Sequence, residues 1–241
     1  MSPTPVFFLL LAYVLGATPT SFWVGRVAFG VDLRTRGSGN LGATNTLRVL
    51  GWKAALPVAL FDVFKGWLPV WLFPQIDRTA EWEWTLAYAA AAILGHVFSF
   101  WVGFRGGKGI ATSAGAFLGL AFWPVLIALA AWAAVVFTTR IVSLGSLTAA
   151  VTLPVALVFL PHEGGDSLLL FTAALALFVF WSHRANIRRL LTGQENRFGG
   201  ERGEMETGEG EEGLGVGGTG RGDGNADGHA ETRKGRERDH E

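Results

Sequence analysis

Long apolar runs separated by short polar segments make up most of the chain. Several runs reach the roughly 20 residues that a helix needs to cross a bilayer. A kink is expected in the first run because it contains Gly16 and Pro19. The pattern predicts an all-α fold, a polytopic integral membrane helical bundle. The runs are 6–27, 54–73, 84–104, 110–137, 142–160 and 168–181.

The distribution of Lys and Arg between the runs predicts how the bundle lies in the membrane. Basic residues collect in segments 30–53 and 105–109 and after the last run, whereas the 74–83 and 161–167 loops are mainly acidic. Basic loops stay on the cytoplasmic side. We therefore expect the N-terminus outside and the C-terminus in the cytoplasm.

The run 110–137 does not fit a single span. The 105–109 loop and Arg140, which flank it, are both basic and both indicate the cytoplasmic side. Two full spans would need about 40 residues, more than the run provides. We therefore expect two short helices that turn near Trp123 and Pro124. The whole chain then has five full spans plus a short helical hairpin, or about seven helices.

Composition divides the chain into two parts. Residues 1–197 carry six more basic than acidic residues, whereas 198–241 is rich in Gly and Glu and carries six more acidic than basic residues. We expect 1–197 to be the membrane-embedded domain. Segment 198–241 is expected to be a disordered cytoplasmic tail because it has too few apolar residues to form a core.

Two further expectations follow from what the sequence lacks. The chain contains no Cys, which excludes disulfides, Cys-based metal sites and thiol nucleophiles, and no metal site is expected. A cleaved signal peptide requires basic residues near its start, and the first few residues include none. The first apolar run is therefore expected to remain in the mature protein.

The first of three candidate chemical segments is 36–45, followed by Arg48. Its glycines leave backbone N–H groups accessible, and such a loop can bind an anion with Arg48 supplying charge. The alternative is a flexible loop whose glycines only form turns. The small polar residues that would add hydrogen bonds are Ser38, Asn40, Thr44 and Asn45.

The second segment, 103–112, surrounds Lys108 with Gly106, Gly107 and Gly109. It is not a Walker A motif, because Gly109 follows the lysine and the segment follows a membrane run rather than a strand. Open backbone amides, a lysine and the start of the next helix still favour phosphate binding. The alternative is a basic membrane anchor with a glycine turn.

The third segment, 183–195, follows the last run. His183 and Asn186 are one helical turn apart and share a face, which suits joint contact with a substrate. A basic stub lying on anionic lipid is the alternative. Ser143 and Ser146 are interpreted either as small helix-packing residues or as phosphate ligands.

Three polar residues within the runs receive a structural interpretation. His96 stands at the end of a run and is expected to be a hydrogen-bonding structural histidine. Asp62 and Lys65 are three positions apart inside the second run. They are expected to neutralise each other or to face the bundle interior.

Taken together, these motifs resemble the bacterial acyl-phosphate:glycerol-3-phosphate acyltransferases, from residue 16 to about 197. Ser99, Ser182 and Ala185 depart from the family pattern, but no candidate site residue is lost. The fold that the resemblance implies, a membrane helical bundle with three cytoplasmic motifs, agrees with the topology above. The matching segments are 16–21, 37–48, 61–66, 95–96, 103–112, 183–186 and 193–195.

The resemblance implies an activity. A fatty acyl group would pass from acyl phosphate to the 1-hydroxyl of glycerol 3-phosphate, giving lysophosphatidic acid in the first step of phospholipid synthesis. None of the five histidines has Asp five positions later, so the His-x4-Asp motif of other acyltransferases is absent.

The resemblance also implies the setting of this activity. No cofactor is expected. The implied partners are glycerol 3-phosphate, acyl phosphate, membrane lipid and the enzyme that makes acyl phosphate, and no nucleic acid is among them. The implied location is the bacterial cell (inner) membrane, with the active site on the cytoplasmic face.

Residues and resemblance together give the candidate site. His183 either removes the hydroxyl proton or only orients the glycerol, and we favour the orienting role because no nearby acid in the sequence would orient it as a base.

A small phosphate- or anion-binding membrane carrier and a membrane scaffold are the rival functions. The catalytic candidates are Ser38, Arg48, His183 and Asn186. The substrate-binding candidates are Asn40, Thr44, Asn45, Gly106, Gly107, Lys108, Gly109, Ser143 and Ser146, and Glu195 is a structural candidate.

Overall fold

The structure is a computed structural model that describes residues 4–78 and 81–198, and the regular structure within those ranges is helical. The predicted all-α fold is therefore confirmed for these residues. The tail predicted at 198–241 lies outside them from residue 199 onward. A π-helical turn, Val24–Ala28, follows α2. The helices are α1 Thr4–Gly16, α2 Thr20–Trp23, α3 Ala43–Leu50, α4 Trp52–Asp77, α5 Trp82–Val97, α6 Ile110–Leu120, α7 Phe122–Thr139, α8 Val142–Phe159, α9 Gly165–Ser182 and α10 Arg184–Leu191.

Within the described ranges, six helical stretches are long and apolar enough to cross a membrane, and α6 is a shorter apolar helix. The expectation of about seven membrane helices is confirmed. The six stretches are Thr4–Ala28, Trp52–Asp77, Trp82–Val102, Phe122–Thr139, Val142–Phe159 and Gly165–Ser182.

The apolar run 110–137 divides as predicted but unequally. Ala121 leaves the helical region with φ −154° and ψ 79°, so α6 ends just before Trp123 and Pro124. Pro124 then lies in the first turn of α7, where a missing N–H costs nothing. With its 18 residues, α7 is long enough to be a candidate span. The sequence analysis had instead placed this segment in a short hairpin. In addition, α6 packs mainly against α4, and α7 mainly against α8.

The first apolar run breaks where a kink was expected. Helix α1 ends at Gly16, and α2 begins after Pro19. Glycines at this level let α1 lie directly against α5. A Cβ atom on Gly16 would come within 2.1 Å of the Ala92 carbonyl oxygen, and one on Gly95 within 2.3 Å of the Tyr13 carbonyl oxygen. The break leaves backbone groups of residues 17–19 outside a regular helix.

The loops between the helices gather at two ends of the bundle. At one end, Lys108 bonds to Asn186 and Ser143 bonds to Glu195. At the other end, the Ser167 hydroxyl donates to the Glu83 carboxylate at 3.3 Å. The basic segments thus share one end and the acidic loops the other, as the distribution of Lys and Arg between the apolar runs predicts.

Candidate active site

A cavity of about 1060 Å³ opens at the end of the bundle where the basic segments meet. It is bordered by α3, α4, α5, α6, α7, α8, α9 and α10. All but two of the candidate site residues line it, the exceptions being Gly106 and Gly107. Those that line it are Ser38, Asn40, Thr44, Asn45, Arg48, Lys108, Gly109, Ser143, Ser146, His183, Asn186 and Glu195.

Asn45 fixes the shape of the first glycine-rich loop. Its Oδ1 accepts the Ser38 N–H at 2.8 Å, and its Nδ2 donates to the carbonyl oxygens of Leu33 and Arg36 at 3.2 and 3.1 Å. The side chain is 1% exposed. Asn45 was assigned to substrate binding, yet its amide group already bonds to the loop. In this structure it holds Ser38 at the cavity.

Arg48 lies on α3 one turn after Asn45, and it also lines the cavity. Its Nη1 lies 3.5 Å from the Asn45 Oδ1. Desolvation lowers the pKa of the guanidinium, and Glu195 acts in the opposite direction. The group remains a cation under any physiological condition, and its partial burial strengthens its attraction for an anion.

The second glycine-rich loop differs from the expected cradle of free amides. The Gly106 N–H donates to the Val97 carbonyl oxygen at 2.9 Å, and the Gly107 N–H donates to that of His96 at 3.1 Å. Assigning these two residues to phosphate binding through open amides is therefore wrong in its physical basis. They are glycines because the loop lies against the end of α5. Cβ atoms would come within 2.0 Å of the His96 carbonyl oxygen and 2.1 Å of its Nε2.

Lys108 extends from this loop into the cavity, where its Nζ donates to the Asn186 Oδ1. Burial lowers its pKa to about 8, although the negative charge of Glu195 acts to raise it. Gly109 follows with φ +84°, a conformation that favours glycine, and α6 begins at the next residue. The lysine and the start of a helix thus face the cavity as predicted.

Glu195 connects the third segment to α8. Its Oε1 accepts hydrogen bonds from the Asn186 Nδ2 at 2.6 Å and from the Ser143 Oγ at 2.9 Å, and its Oε2 accepts one from the Arg189 Nε at 2.7 Å. Although desolvation acts to raise the pKa of Glu195, these hydrogen bonds lower it. The carboxylate orients Asn186, which in turn holds Lys108.

His183 is held in one tautomer by its own helix. Its Nδ1 lies 2.9 Å from the Val179 carbonyl oxygen. Because a carbonyl can only accept, Nδ1 carries the proton and Nε2 is left as an acceptor. Burial and the charge of Lys108 lower the pKa of the imidazole to about 4. His183 is therefore neutral at pH 7.

The two serines of α8 differ in what they bond to. The Ser143 hydroxyl donates to Glu195, whereas the Ser146 hydroxyl donates to the Val142 carbonyl oxygen of its own helix at 3.0 Å. Both line the cavity. Among the described contacts, the Ser146 hydroxyl has no charged partner, so Ser146 is the more available of the two for a ligand.

The structure adds charged residues that the sequence reasoning did not select. Arg189 stands three residues after Asn186 on α10 and lines the cavity with Arg140, Asp62 and His96. The helical spacing of Arg189 from Asn186 is a signal that could have identified it. Among the described residues, no group of three His, Cys, Asp or Glu could hold a metal ion.

Beyond its polar end, the cavity continues between apolar side chains. α4, α7, α8 and α9 supply them, so this part of the cavity lies among membrane-spanning helices. We call it the apolar groove, and define it by Leu56, Val63, Val125, Leu129, Trp132, Leu153 and Leu175. A polar, cationic end and an apolar groove thus form one continuous space.

Comparisons with known proteins agree on one family. The sequence model described as glycerol-3-phosphate acyltransferase matches residues 6–193. A glycerol-3-phosphate acyltransferase of Endomicrobium trichonymphae is 39% identical over 192 residues, which cover 80% of this chain and 94% of that protein. One of Synechococcus sp. (strain CC9902) is 45% identical over 192 residues, which cover 79% and 94%.

Two solved structures share the fold. Both are crystal structures of PlsY (YgiH), an integral membrane glycerol 3-phosphate acyltransferase, and both are 33% identical to this chain. The glycerol 3-phosphate form has a TM-score of 0.75 and covers 81% of this chain and 96% of its own. The lysophosphatidic acid form has a TM-score of 0.72, with coverages of 81% and 95%.

Proposed function

The chain belongs to the glycerol-3-phosphate acyltransferase family, and on this premise we propose that it transfers a fatty acyl group from acyl phosphate to the 1-hydroxyl of glycerol 3-phosphate. The product is lysophosphatidic acid. The observation that carries the proposal is the single cavity in which a cationic polar end meets the apolar groove. A water-soluble phosphorylated acceptor and a fatty acyl donor need this combination.

The charges of the polar end suit two phosphate groups. Arg48, Lys108, Arg140 and Arg189 line the cavity together with two carboxylates, those of Asp62 and Glu195. The cations outnumber the carboxylates, so the site offers net positive charge to anionic ligands. Ser38 adds a hydroxyl donor beside them, and the Ser146 hydroxyl can add another if it rotates away from the Val142 carbonyl oxygen. We assign Lys108 and Arg48 to the substrate phosphates.

Acyl phosphate as the donor accounts for the simplicity of the site. In the reaction the acceptor oxygen attacks the acyl carbonyl carbon, and the bond from that carbon to the phosphate oxygen breaks. Phosphate is a good leaving group, so the protein mainly needs to position the two substrates and neutralise their charge. The chain offers no Cys nucleophile, and none is needed.

The geometry of His183 favours an orienting role. Its Nε2 is the ring nitrogen able to accept a hydrogen bond, which suits the acceptor hydroxyl before attack. A pKa of about 4 makes it a weak base at neutral pH, since an efficient general base has a pKa near the working pH. The hydroxyl proton then passes to the departing phosphate, which becomes hydrogen phosphate.

The polar end faces the cytoplasm in this proposal, and the protein resides in the bacterial cell membrane. The support is the excess of basic residues at that end of the bundle. Glycerol 3-phosphate then reaches the cavity from the cytoplasm, and the acyl donor reaches it from the lipid. The enzyme that makes acyl phosphate is proposed as a partner because it supplies the donor.

The alternative function is a small anion carrier. An assay that follows both transport and product formation distinguishes it from an acyltransferase. Sealed proteoliposomes would receive palmitoyl phosphate and labelled glycerol 3-phosphate outside. An acyltransferase moves the label into lysophosphatidic acid in the bilayer. Label that accumulates in the lumen as unchanged glycerol 3-phosphate, with none in lipid, would establish a carrier and overturn the proposal.

A further inference from the structure

A cluster of ionisable side chains lies inside the bundle beside the site, and the reaction above does not use it. Asp62 and Lys65 of α4 are each 1% exposed, and His96 of α5 is 6% exposed. The Lys65 Nζ lies 2.7 Å from the Asp62 Oδ1, and the His96 Nδ1 lies 3.6 Å from the same oxygen. Ionisable residues within membrane spans are costly and usually have a function.

The break between α1 and α2 holds the far side of this cluster. The Lys65 Nζ donates to the Thr18 carbonyl oxygen at 2.8 Å, and the Thr20 hydroxyl donates to the Asp62 Oδ1 at 3.4 Å. The Thr18 carbonyl oxygen lies outside a regular helix and also accepts the Thr20 N–H at 3.0 Å, so its second lone pair is the one that accepts from Lys65. The cluster is therefore fixed to three segments of the bundle.

The near side of the cluster is His96, which lies against the loop that carries Lys108. The carbonyl oxygen of His96 accepts the Gly107 N–H at 3.1 Å. A Cβ on Gly107 would come within 2.1 Å of the His96 Nε2 and 2.5 Å of the Leu41 carbonyl oxygen. The imidazole thus fills the space between Asp62 and the backbone immediately before Lys108.

A purely stabilising role explains the cluster poorly. A buried ion pair gains little net stability, because desolvation offsets the attraction, and apolar residues of similar size often serve as well. The contacts instead form a chain that connects the helix break, through Lys65, Asp62 and His96, to the loop. Such a chain of contacts determines where the loop lies.

We propose that Asp62, Lys65 and His96 are positioning residues: the His96 side chain, held by Asp62, packs against the Gly107 backbone and so sets where Lys108 meets the substrate phosphate. This inference rests on the proposed function, because it concerns the phosphate contact of Lys108. It assigns no substrate contact to the cluster itself.

The experiment is a double-mutant cycle on glycerol 3-phosphate binding by the full-length protein. His96→Gln and Asp62→Asn are each made with Lys108 present and with Lys108→Ala. With Lys108 present, we expect each variant to raise the KM for glycerol 3-phosphate about ten- to a hundredfold, the cost of displacing a binding group by about an ångström. With Lys108→Ala, the same variants should change KM less than about twofold.

Tyr88→Phe is the matched control. Tyr88 is also a buried polar residue of α5, and its hydroxyl donates to Asp77, away from the loop. Tyr88→Phe should lower thermal stability without moving the KM for glycerol 3-phosphate. His96→Gln keeps the Asp62–Lys65 ion pair, so it carries the test alone if Asp62→Asn does not fold. If neither folds, Gly107→Ala probes the same contact from the loop side.

Two results would overturn the inference. The first is an unchanged KM in the folded cluster or Gly107 variants while Lys108 is present. The second is an equal rise in KM with and without Lys108, which would mean that Asp62 or His96 contacts the substrate directly from the cavity wall. Failure of the proposed function is distinguishable, since the unaltered protein would then form no lysophosphatidic acid.

Discussion

Burial changes the pKa of two candidate site residues, Lys108 and His183. It lowers the pKa of Lys108 to about 8, and together with the charge of Lys108 it lowers the pKa of His183 to about 4. At neutral pH the cavity therefore presents a cationic lysine and a neutral histidine. These are the protonation states that suit a phosphate and a hydroxyl group.

Lys108→Ala tests the phosphate contact. A lost charge-assisted hydrogen bond costs about 1.5–3 kcal/mol, so the KM for glycerol 3-phosphate should rise about ten- to a hundredfold. Lys108→Arg should recover only part of this loss, since a guanidinium group is larger and differently shaped than an ammonium. Steady-state kinetics with saturating acyl phosphate measure both effects. An unchanged KM in Lys108→Ala would contradict the assignment.

The pH dependence of substrate affinity follows from the same residue. Raising the pH through about 8 deprotonates Lys108 in the substrate-free protein, so affinity for glycerol 3-phosphate should fall above that pH. Binding of the phosphate favours the charged lysine, so it is accompanied by proton uptake in this range. Lys108→Arg should abolish the decline, because arginine stays protonated. Affinity measured from about pH 7 to 9 checks both statements.

His183→Ala tests how the acceptor hydroxyl is activated. If His183 orients the hydroxyl, the variant should lose turnover while the pH–rate profile keeps its shape between about pH 5.5 and 8, because the imidazole titrates below that range. His183→Gln, which retains an acceptor atom, should retain more activity than His183→Ala. A limb near neutral pH that disappears in His183→Ala would identify His183 as the general base.

Sequence reasoning selected most of the polar residues that line the cavity but did not predict all of their contacts. It selected the three segments that glycines, small donors and basic residues mark locally, and it did not select Asp62, His96 or Arg140. The paired amides of Gly106 and Gly107 could not be predicted, because their acceptors belong to the end of α5 and depend on how the loop packs. The same holds for Asn45, whose partners Leu33 and Arg36 precede it by several residues.

At the scale of helices, charge and length predicted most of the arrangement. The apolar runs became the membrane helices, and the basic segments share one end of the bundle. The sequence did not indicate that α6 and α7 would pack against different partners. That choice depends on close packing, since a Cβ on Gly115 would lie 1.9 Å from the Val63 carbonyl oxygen on α4.

Orientation in the membrane can be tested by cysteine labelling, because the chain has no native Cys. Thr35→Cys and Thr139→Cys should react with an impermeant reagent only after the cytoplasmic face is opened. Glu163→Cys at the opposite end should react in intact cells. Glu163 is used rather than Gly164, where a Cβ would lie 2.0 Å from the Trp82 Nε1. External labelling at position 139 would refute the proposed orientation.

For the whole molecule, the helices bring a cationic end and an apolar groove into one cavity, and in the proposed function the two substrates meet there. The sequence predicted the charge separation that underlies this arrangement. It could not predict the cavity itself, whose walls come from eight helices distributed along the chain. The structure does not describe the chain beyond residue 198, so the composition of 198–241 supports only a prediction.

Ending the chain after Phe198 should leave turnover nearly unchanged. The removed segment is rich in Gly and Glu, and the last retained contact, from the Phe198 N–H to the Arg140 carbonyl oxygen at 2.6 Å, is preserved. Turnover per molecule of purified protein measures the effect, with the full-length chain as control. A tenfold loss would show that the tail contributes to catalysis.

Donor specificity tests the central claim most directly. Purified protein in lipid vesicles would receive glycerol 3-phosphate with palmitoyl phosphate, palmitoyl-CoA or palmitoyl-acyl carrier protein, and both products would be quantified. The account predicts lysophosphatidic acid and inorganic phosphate in equal amounts from palmitoyl phosphate, and no product from either thioester. Lysophosphatidic acid formed from a thioester without acyl phosphate, or no product from palmitoyl phosphate, would contradict it.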